Sequence, residues 1–360
     1  MRILKLIFLF SIVFSSCKTS ETISPSSSST NSSNPLSTIP STIPGVYVGG
    51  YEGKGGQGVG KIWKNEEVLY SNSSSSSLIT DIFISGKDVY SVGNEFDGKI
   101  TNATIWKNGI ATILGNKVKS SSANAIFVSG NDVYVCGNQE DTKGAYTAVL
   151  WKNGISSVID ARGELSTIFV SGSDVYVSGS TGNSSNWGLS VFKNGKLLYF
   201  DKEGGYPTGM FVSGNDVYVS GYGNNNGSQA KLWKNGVLTI LDQVKTGSIS
   251  AKDVFVSGKD VYVVGEKQLT TFNFDYKFYP SVAILWKNGI PTNLSNGNTI
   301  AFATSVFVSG SDVYVCGYEY APTFISSIGS PSGKIWKNGV PSVVSKTNNN
   351  LIPNSIFVVK

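Results

Sequence analysis

The sequence predicts an all-β fold: a seven-bladed β-propeller of four-stranded blades, closed by pairing of the C-terminal strand with the N-terminal blade. Three features of residues 46–360 carry that prediction. A segment of the form IFVSG-x-DVYV recurs from Ile82, Ile126, Ile168, Met210, Val254 and Val306, and its aspartates (Asp88, Asp132, Asp174, Asp216, Asp260, Asp312) lie 44, 42, 42, 44 and 52 residues apart. A second segment, WKNG, starts at Trp106, Trp151, Trp233, Trp286 and Trp336, with variant copies at Trp63 and Phe192. The two ends are complementary fragments. Repeat one opens on Val46-Tyr47-Val48 with no IFVSG before it, and the chain finishes on Ser355-Ile356-Phe357-Val358-Val359, an inner strand with nothing after it. Four short strands every forty-odd residues is the pattern of propeller blades.

The elements follow in chain order. Met1–Lys5 carries two positive charges, and Leu6–Phe14 is an apolar run of nine residues, too short to span a bilayer but fitting the core of a secretory signal. Phe14-Ser15-Ser16-Cys17 resembles the lipobox of bacterial lipoproteins, with Phe14 where leucine is usual. The resemblance implies removal of residues 1–16 and lipidation of Cys17; the alternative is an ordinary signal peptide with an incidental cysteine. Residues 18–45 hold fifteen Ser or Thr and four Pro among 28. Such a stretch cannot offset its ordering entropy by burial, so 17–45 reads as a lipidated cysteine and a disordered tether reaching about 30 Å.

Within each repeat, IFVSG forms the innermost strand and DVYV the second. The apolar run ending at the tryptophan is the third, and the segment after Asn-Gly is the outer one. Asn-Gly between two strands favours a type I′ turn, because both central residues need positive φ. Pairing 355–359 with 46–48 completes the last blade and removes an open edge. In strand order the units resemble NHL propellers, and Val48-Gly49-Gly50-Tyr51 is similar to kelch repeats in a single copy; the tryptophan-aspartate and Gly-His of WD40 blades are missing. These resemblances imply a fold and no functional residues.

Composition excludes several chemistries. The chain has no histidine, and Arg162 is its only arginine after the signal. Ser-His-Asp and Cys-His catalysis, most zinc sites and the arginine clamp of sialidase-type propellers are therefore ruled out. Without the signal segment, 27 basic side chains face 24 acidic ones, a balance of +3 that points to no nucleic-acid partner. No cofactor, metal site or catalytic residue is expected, and the chain is expected to be a monomer.

Recurrent residues read as structural. The hairpin aspartates are expected to bond their own turns, and the tryptophans to fill the wedge between blades. Lys64, Lys107, Lys152, Lys193, Lys234, Lys287 and Lys337 should form a positive ring on the turn face, solvated or docking on anionic surfaces. Cys136 and Cys316 occupy equivalent places in repeats three and seven, too far apart for a disulfide, and read as buried free thiols.

Function is expected on the opposite face, where the loops differ in every repeat. The longest loops, in repeats six and seven, carry Phe272, Phe274, Tyr276, Phe278 and Tyr279, then Tyr318, Tyr320 and Phe324; Trp187 of repeat four adds to that face. Such rings would either grip sugar rings or apolar side chains or pack on one another as a lid. The expected function is a non-catalytic binding or scaffold module for a protein or glycan of the bacterial cell envelope, held to the outer membrane by the lipid on Cys17. The alternative is a carboxylate-dependent glycoside hydrolase using loop acids among Glu95, Asp97, Glu140, Asp141, Glu266, Asp275 and Glu319.

Overall fold

The computed structural model describes residues 44–360 apart from 55–56, 74–75, 116–118, 184–185, 203–204, 225–226, 274–277, 323–327 and 348–349. Cys17, the signal segment and residues 18–43 lie outside the described residues. The chain is an all-β propeller of four-stranded antiparallel blades. Five sheets stand separately with four strands each, and an eight-stranded sheet is made of two antiparallel quartets, over 249–293 and 300–343. One parallel bridge, Ser281 to Ile300, joins those quartets. The ends close as expected: Gly45–Lys54 pairs antiparallel with Leu351–Val359, Val46 opposite Val358 and Val48 opposite Ile356.

Turn chemistry explains the strand register. In repeats two to seven the Asn of each Asn-Gly turn has φ near +51° and its Gly φ of 75–82°, the type I′ conformation. Repeat one has Asn65-Glu66 instead, with Glu66 at φ +73°, a conformation that costs a non-glycine residue about 1 kcal/mol; Lys346 pairs with its carboxylate at 2.8 Å.

The hairpin aspartates differ from expectation. Asp88 accepts from Asn108 Nδ2 at 2.9 Å and meets Lys107 Nζ at 2.8 Å, while Val89 N–H donates to Asn108 Oδ1. Each aspartate thus ties the first turn of its blade to the second, rather than bonding its own turn. The arrangement recurs at Asp132, Asp174, Asp216, Asp260 and Asp312. The lysine ring is consequently neutralised by ion pairs in six repeats, and each ammonium also lies about 5 Å over its repeat's tyrosine. In repeat one, Lys64 lies over Tyr47 at 4.9 Å.

The core repeats as the turns do. Trp63, Trp106, Trp151, Trp233, Trp286 and Trp336 are buried, packed in clusters that draw on two successive repeats. Burial of this size contributes most of what holds one blade on the next. Cys136 and Cys316 are buried free thiols. Along the axis, Phe83, Phe127, Phe169, Phe211, Phe255, Phe307 and Phe357 form a closed circle of tilted rings with centroids 4.7–5.2 Å apart.

A β-bulge breaks every inner strand two residues before the IFV triplet, leaving Thr80, Asn124, Ser166, Thr208, Lys252, Thr304 and Asn354 unpaired. The bend presses the inner backbone against the second strand. A Cβ on Gly93, Gly137, Gly179, Gly265 or Gly317 would lie 1.9 Å from a carbonyl oxygen of that inner strand, so only glycine fits there. Several bulged side chains use the freed position to reach the next repeat. Thr80, Asn124, Thr208, Thr304 and Asn354 donate at 2.7–3.0 Å to the carbonyls of Ala123, Leu165, Ala251, Pro353 and Ile79.

Candidate binding site at the channel entrance

Beyond the bulge, toward the variable-loop face, the inner and second strands continue for a few more residues. The second pairs past the bulge, one step beyond the repeated glycines, are Leu78–Asn94, Ser122–Asn138, Glu164–Ser180, Tyr206–Tyr222, Ser250–Glu266, Phe302–Tyr318 and Ile352–Tyr51. They hold equivalent places in the repeats and so ring the entrance of the central channel. The strands here are regular, which makes the site rigid, yet the side chains differ from repeat to repeat.

One side of the ring is aromatic. Tyr206 stacks on Tyr222 at 5.3 Å, Phe302 on Tyr318 at 4.8 Å, and Tyr320 meets Tyr318 edge-on at 5.5 Å. Between the two stacks sits Glu266, buried, accepting from Ser250 Oγ and 3.5 Å from Lys252 Nζ. Lys252 is the bulged residue of repeat six and turns outward, its ammonium 5.2 Å over the Tyr222 ring. Burial raises the phenol of Tyr222 above the usual range, reinforced by Tyr206 and then by Glu266 and Glu164. Burial raises Tyr318 as well, reinforced by Tyr320, Glu266 and Tyr51. Across the ring, Asn138 is buried and donates to Glu164 at 3.4 Å.

Deeper in the channel lies a cavity of about 150 Å³, lined among others by Asp81, Asn124, Thr208, Asp253, Thr304 and Asn354. Asp81 accepts from Ile82 N–H, Ser355 Oγ and Ile126 N–H at 2.7–3.0 Å. Asp253 accepts from Val254 N–H, Ser305 Oγ and Val306 N–H at 2.8–2.9 Å. Both carboxyls are partly buried where they border the cavity, and desolvation pushes each up to about 6 against those hydrogen bonds.

The structure treats the predicted site residues unequally. Tyr318 and Tyr320 belong to the entrance. Phe272 and Tyr279 pack edge-on at 5.0 Å, and Asn273 pairs with Phe278 in an isolated antiparallel bridge. Tyr279 remains half exposed, as does Trp187 opposite Gly182. Cys17, Phe274, Tyr276 and Phe324 lie outside the described residues, as does Asp275. Of the loop acids, Asp97 and Asp141 accept backbone N–H groups of their own loops. Glu140 pairs with Lys119, Glu319 with Lys334, and Glu95 meets the Thr104 hydroxyl at 3.3 Å. Glu266 alone of the described loop candidates sits in the entrance ring. Reading the loops missed Tyr51, Tyr206, Tyr222 and Phe302. Their signal was the residue after each repeated glycine, a variable position inside an otherwise constant strand.

No protein-family model and no curated protein matches the sequence. Among solved structures, the computationally designed Ika8 protein is similar at a TM-score of 0.44 and 13% identity, covering 87% of this chain and 96% of that one. The acylaminoacyl peptidase of Pyrococcus horikoshii is similar at a TM-score of 0.41 and 12% identity, covering 74% of this chain and 47% of that one.

Proposed function

We propose that the chain is a non-catalytic glycan-binding module of the bacterial cell envelope, anchored through a lipid on Cys17 and presenting its seat at the channel entrance. The observation that carries the reading is the pair of aromatic stacks, Tyr206–Tyr222 and Phe302–Tyr318, flanking a buried carboxylate. Aromatic faces take the apolar face of a sugar ring, and a few fixed polar groups orient its hydroxyls. The ring counts as seven blades on this reading. Seven phenylalanines close a circle and seven pairs line the entrance, and the eight-stranded sheet divides into two blades at its single bridge. The loop acids favour binding over hydrolysis, since most of those described are engaged in their own loops or in ion pairs.

Calorimetric titration of oligosaccharides into the full chain tests the seat. Tyr206→Ala and Tyr222→Ala should each weaken binding about tenfold, the loss of one stacking contact. Unchanged affinity in both variants would move the seat elsewhere. In the same preparation Cys17→Ser should shift the chain from the membrane to the soluble fraction, and continued membrane association would remove the anchor from the proposal.

A further inference from the structure

We infer that the cavity in the channel is a seat for a vicinal diol, carried by a small neutral polyol or by the end of a glycan. The inner strands supply the reason. The first residue of each IFV triplet turns its N–H toward the axis, and side chains meet five of these seven donors. Asp81 takes Ile82 and Ile126, Asp253 takes Val254 and Val306, and Ser305 takes Ile356, at 2.8–3.4 Å. Repeats four and five differ. There Val175 and Val217 accept from Asn194 and Asn235 on the third strand, so the alternation of the ladder turns Ile168 and Met210 toward the axis too. Neither N–H meets a side-chain acceptor among the described residues. The places that would serve them hold Ala125, Gly209, and a Thr167 that is turned onto Ser178 at 2.6 Å. Ile168 and Met210 both line the cavity.

Two open donors call for acceptors, and the ends of the same wall offer acceptors in turn. Asp81 Oδ2 takes one bond, from Ile126 of repeat three, and Asp253 Oδ1 takes one, from Val254, so each keeps a lone pair to spare. Asp253 Oδ1 leans over repeat five, 2.7 Å from where a Cβ on Gly209 would stand. From repeat three to repeat six the wall therefore reads acceptor, donor, donor, acceptor. Adjacent N–H groups of this kind are spanned by the two oxygens of one carboxylate at Asp81 and again at Asp253. Two oxygens on neighbouring carbons span them as well. A diol answers all four groups, because each oxygen accepts an N–H and each hydroxyl hydrogen goes to an aspartate. A carboxylate brings no hydrogen to the aspartates, and an ammonium brings no acceptor. The cavity of about 150 Å³ has the room of about five waters, enough for one polyol of glycerol's size. Asp81, Asn124, Ser166, Thr208 and Asp253 are partly exposed along it, so a small solute reaches this wall.

The test follows the backbone amide signals of Ile168 and Met210 by NMR while glycerol is titrated into the full chain. Both should shift saturably, whereas ethanol, with one hydroxyl, should bind about tenfold more weakly and acetate should leave both in place. Ala125→Ser puts a hydroxyl where Ser305 already serves the next repeat, at a place where the fold accepts serine in repeats seven and one. It should weaken glycerol about tenfold, since the serine takes the Ile168 donor. A glucose tetrasaccharide that moves both amides when glycerol does not assigns the diol to a glycan reaching down from the entrance. If neither moves them, the cavity holds water only and the inference is overturned. Acetate or ethanol acting as strongly as glycerol, or an Ala125→Ser variant that binds like the wild type, overturns it equally. Oligosaccharide binding that Tyr206→Ala weakens while these two amides stay in place would keep the glycan reading and end this one.

Discussion

Replacing Asp81 by alanine is expected to lower the unfolding free energy by about 3 kcal/mol at pH 7, read as a shifted urea midpoint. The carboxylate joins three inner strands. It accepts from Ile82 of its own strand, from Ser355 of the last strand, and from Ile126 of the next repeat. Alanine removes the acceptor those three donors share, leaving Ile82 N–H only its longer bond to Ser355 Oγ at 3.4 Å, and each orphaned donor costs about 1–3 kcal/mol. Part of that loss is recovered because alanine escapes the desolvation of the carboxyl. The site also lies on the seam where the ends of the chain meet, next to the bond from Asn354 Nδ2 to Ile79 O at 2.7 Å. Asp81→Asn should lose roughly half as much, because its amide nitrogen would confront Ile126 N–H while its oxygen still serves Ile82 and Ser355. A midpoint unchanged within error for Asp81→Ala would mean that apolar packing alone closes the ring.

The features visible in the sequence were those set by local chemistry repeated many times. Asn-Gly admits few backbone conformations, the second-strand glycine answers a steric demand, and the split repeat at the two ends leaves one way to complete a sheet. The lysines illustrate the limit. Their positions on one face were plain, but whether they project charge depends on Asp88 and its equivalents meeting them across two turns some twenty residues apart. The site was hidden for a related reason. Tyr206, Tyr222 and Phe302 are strand residues with the period of any half-buried strand, whereas Phe272, Tyr276 and Phe324 stand out in long loops. Comparing equivalent positions would have exposed it: after the repeated glycine come Tyr51, Asn94, Asn138, Ser180, Tyr222, Glu266 and Tyr318. Asp81 and Asp253 were equally open to view, being the two acids at a place where other repeats carry Ala125, Thr167, Gly209, Ser305 and Ser355. Their significance needed the channel, because only enclosure makes a carboxylate there costly.

That enclosure predicts an unusual dependence of stability on pH. Asp81 and Asp253 are each pushed from 3.8 to about 6 in the folded chain, chiefly by desolvation. The three hydrogen bonds that each accepts offset it only in part. Cys136 stands beside Asp81 and Cys316 beside Asp253, both thiols driven up by burial, and the charge of Asp81 itself raises Asp253. Between pH 4 and 6 the folded chain therefore holds protons that the unfolded chain has released. Stability is greatest below the unfolded value near 4, falls as pH rises through about 6, and then levels. A shift of about two units corresponds to about 3 kcal/mol per carboxyl. The hairpin aspartates act in the opposite sense, since the lysine and asparagine partners of Asp132 and its equivalents hold them below the usual range; that contribution fades only as pH drops below 4. The two trends place the expected optimum near pH 4 to 5, and urea midpoints measured from pH 4 to 8 should decline across the middle of that range. Asp81→Asn combined with Asp253→Asn should flatten the decline, since neither amide titrates. A wild-type profile that rises toward neutrality, or a double variant as steep as the wild type, would show that the two channel carboxyls are solvated and ionised in the folded ring.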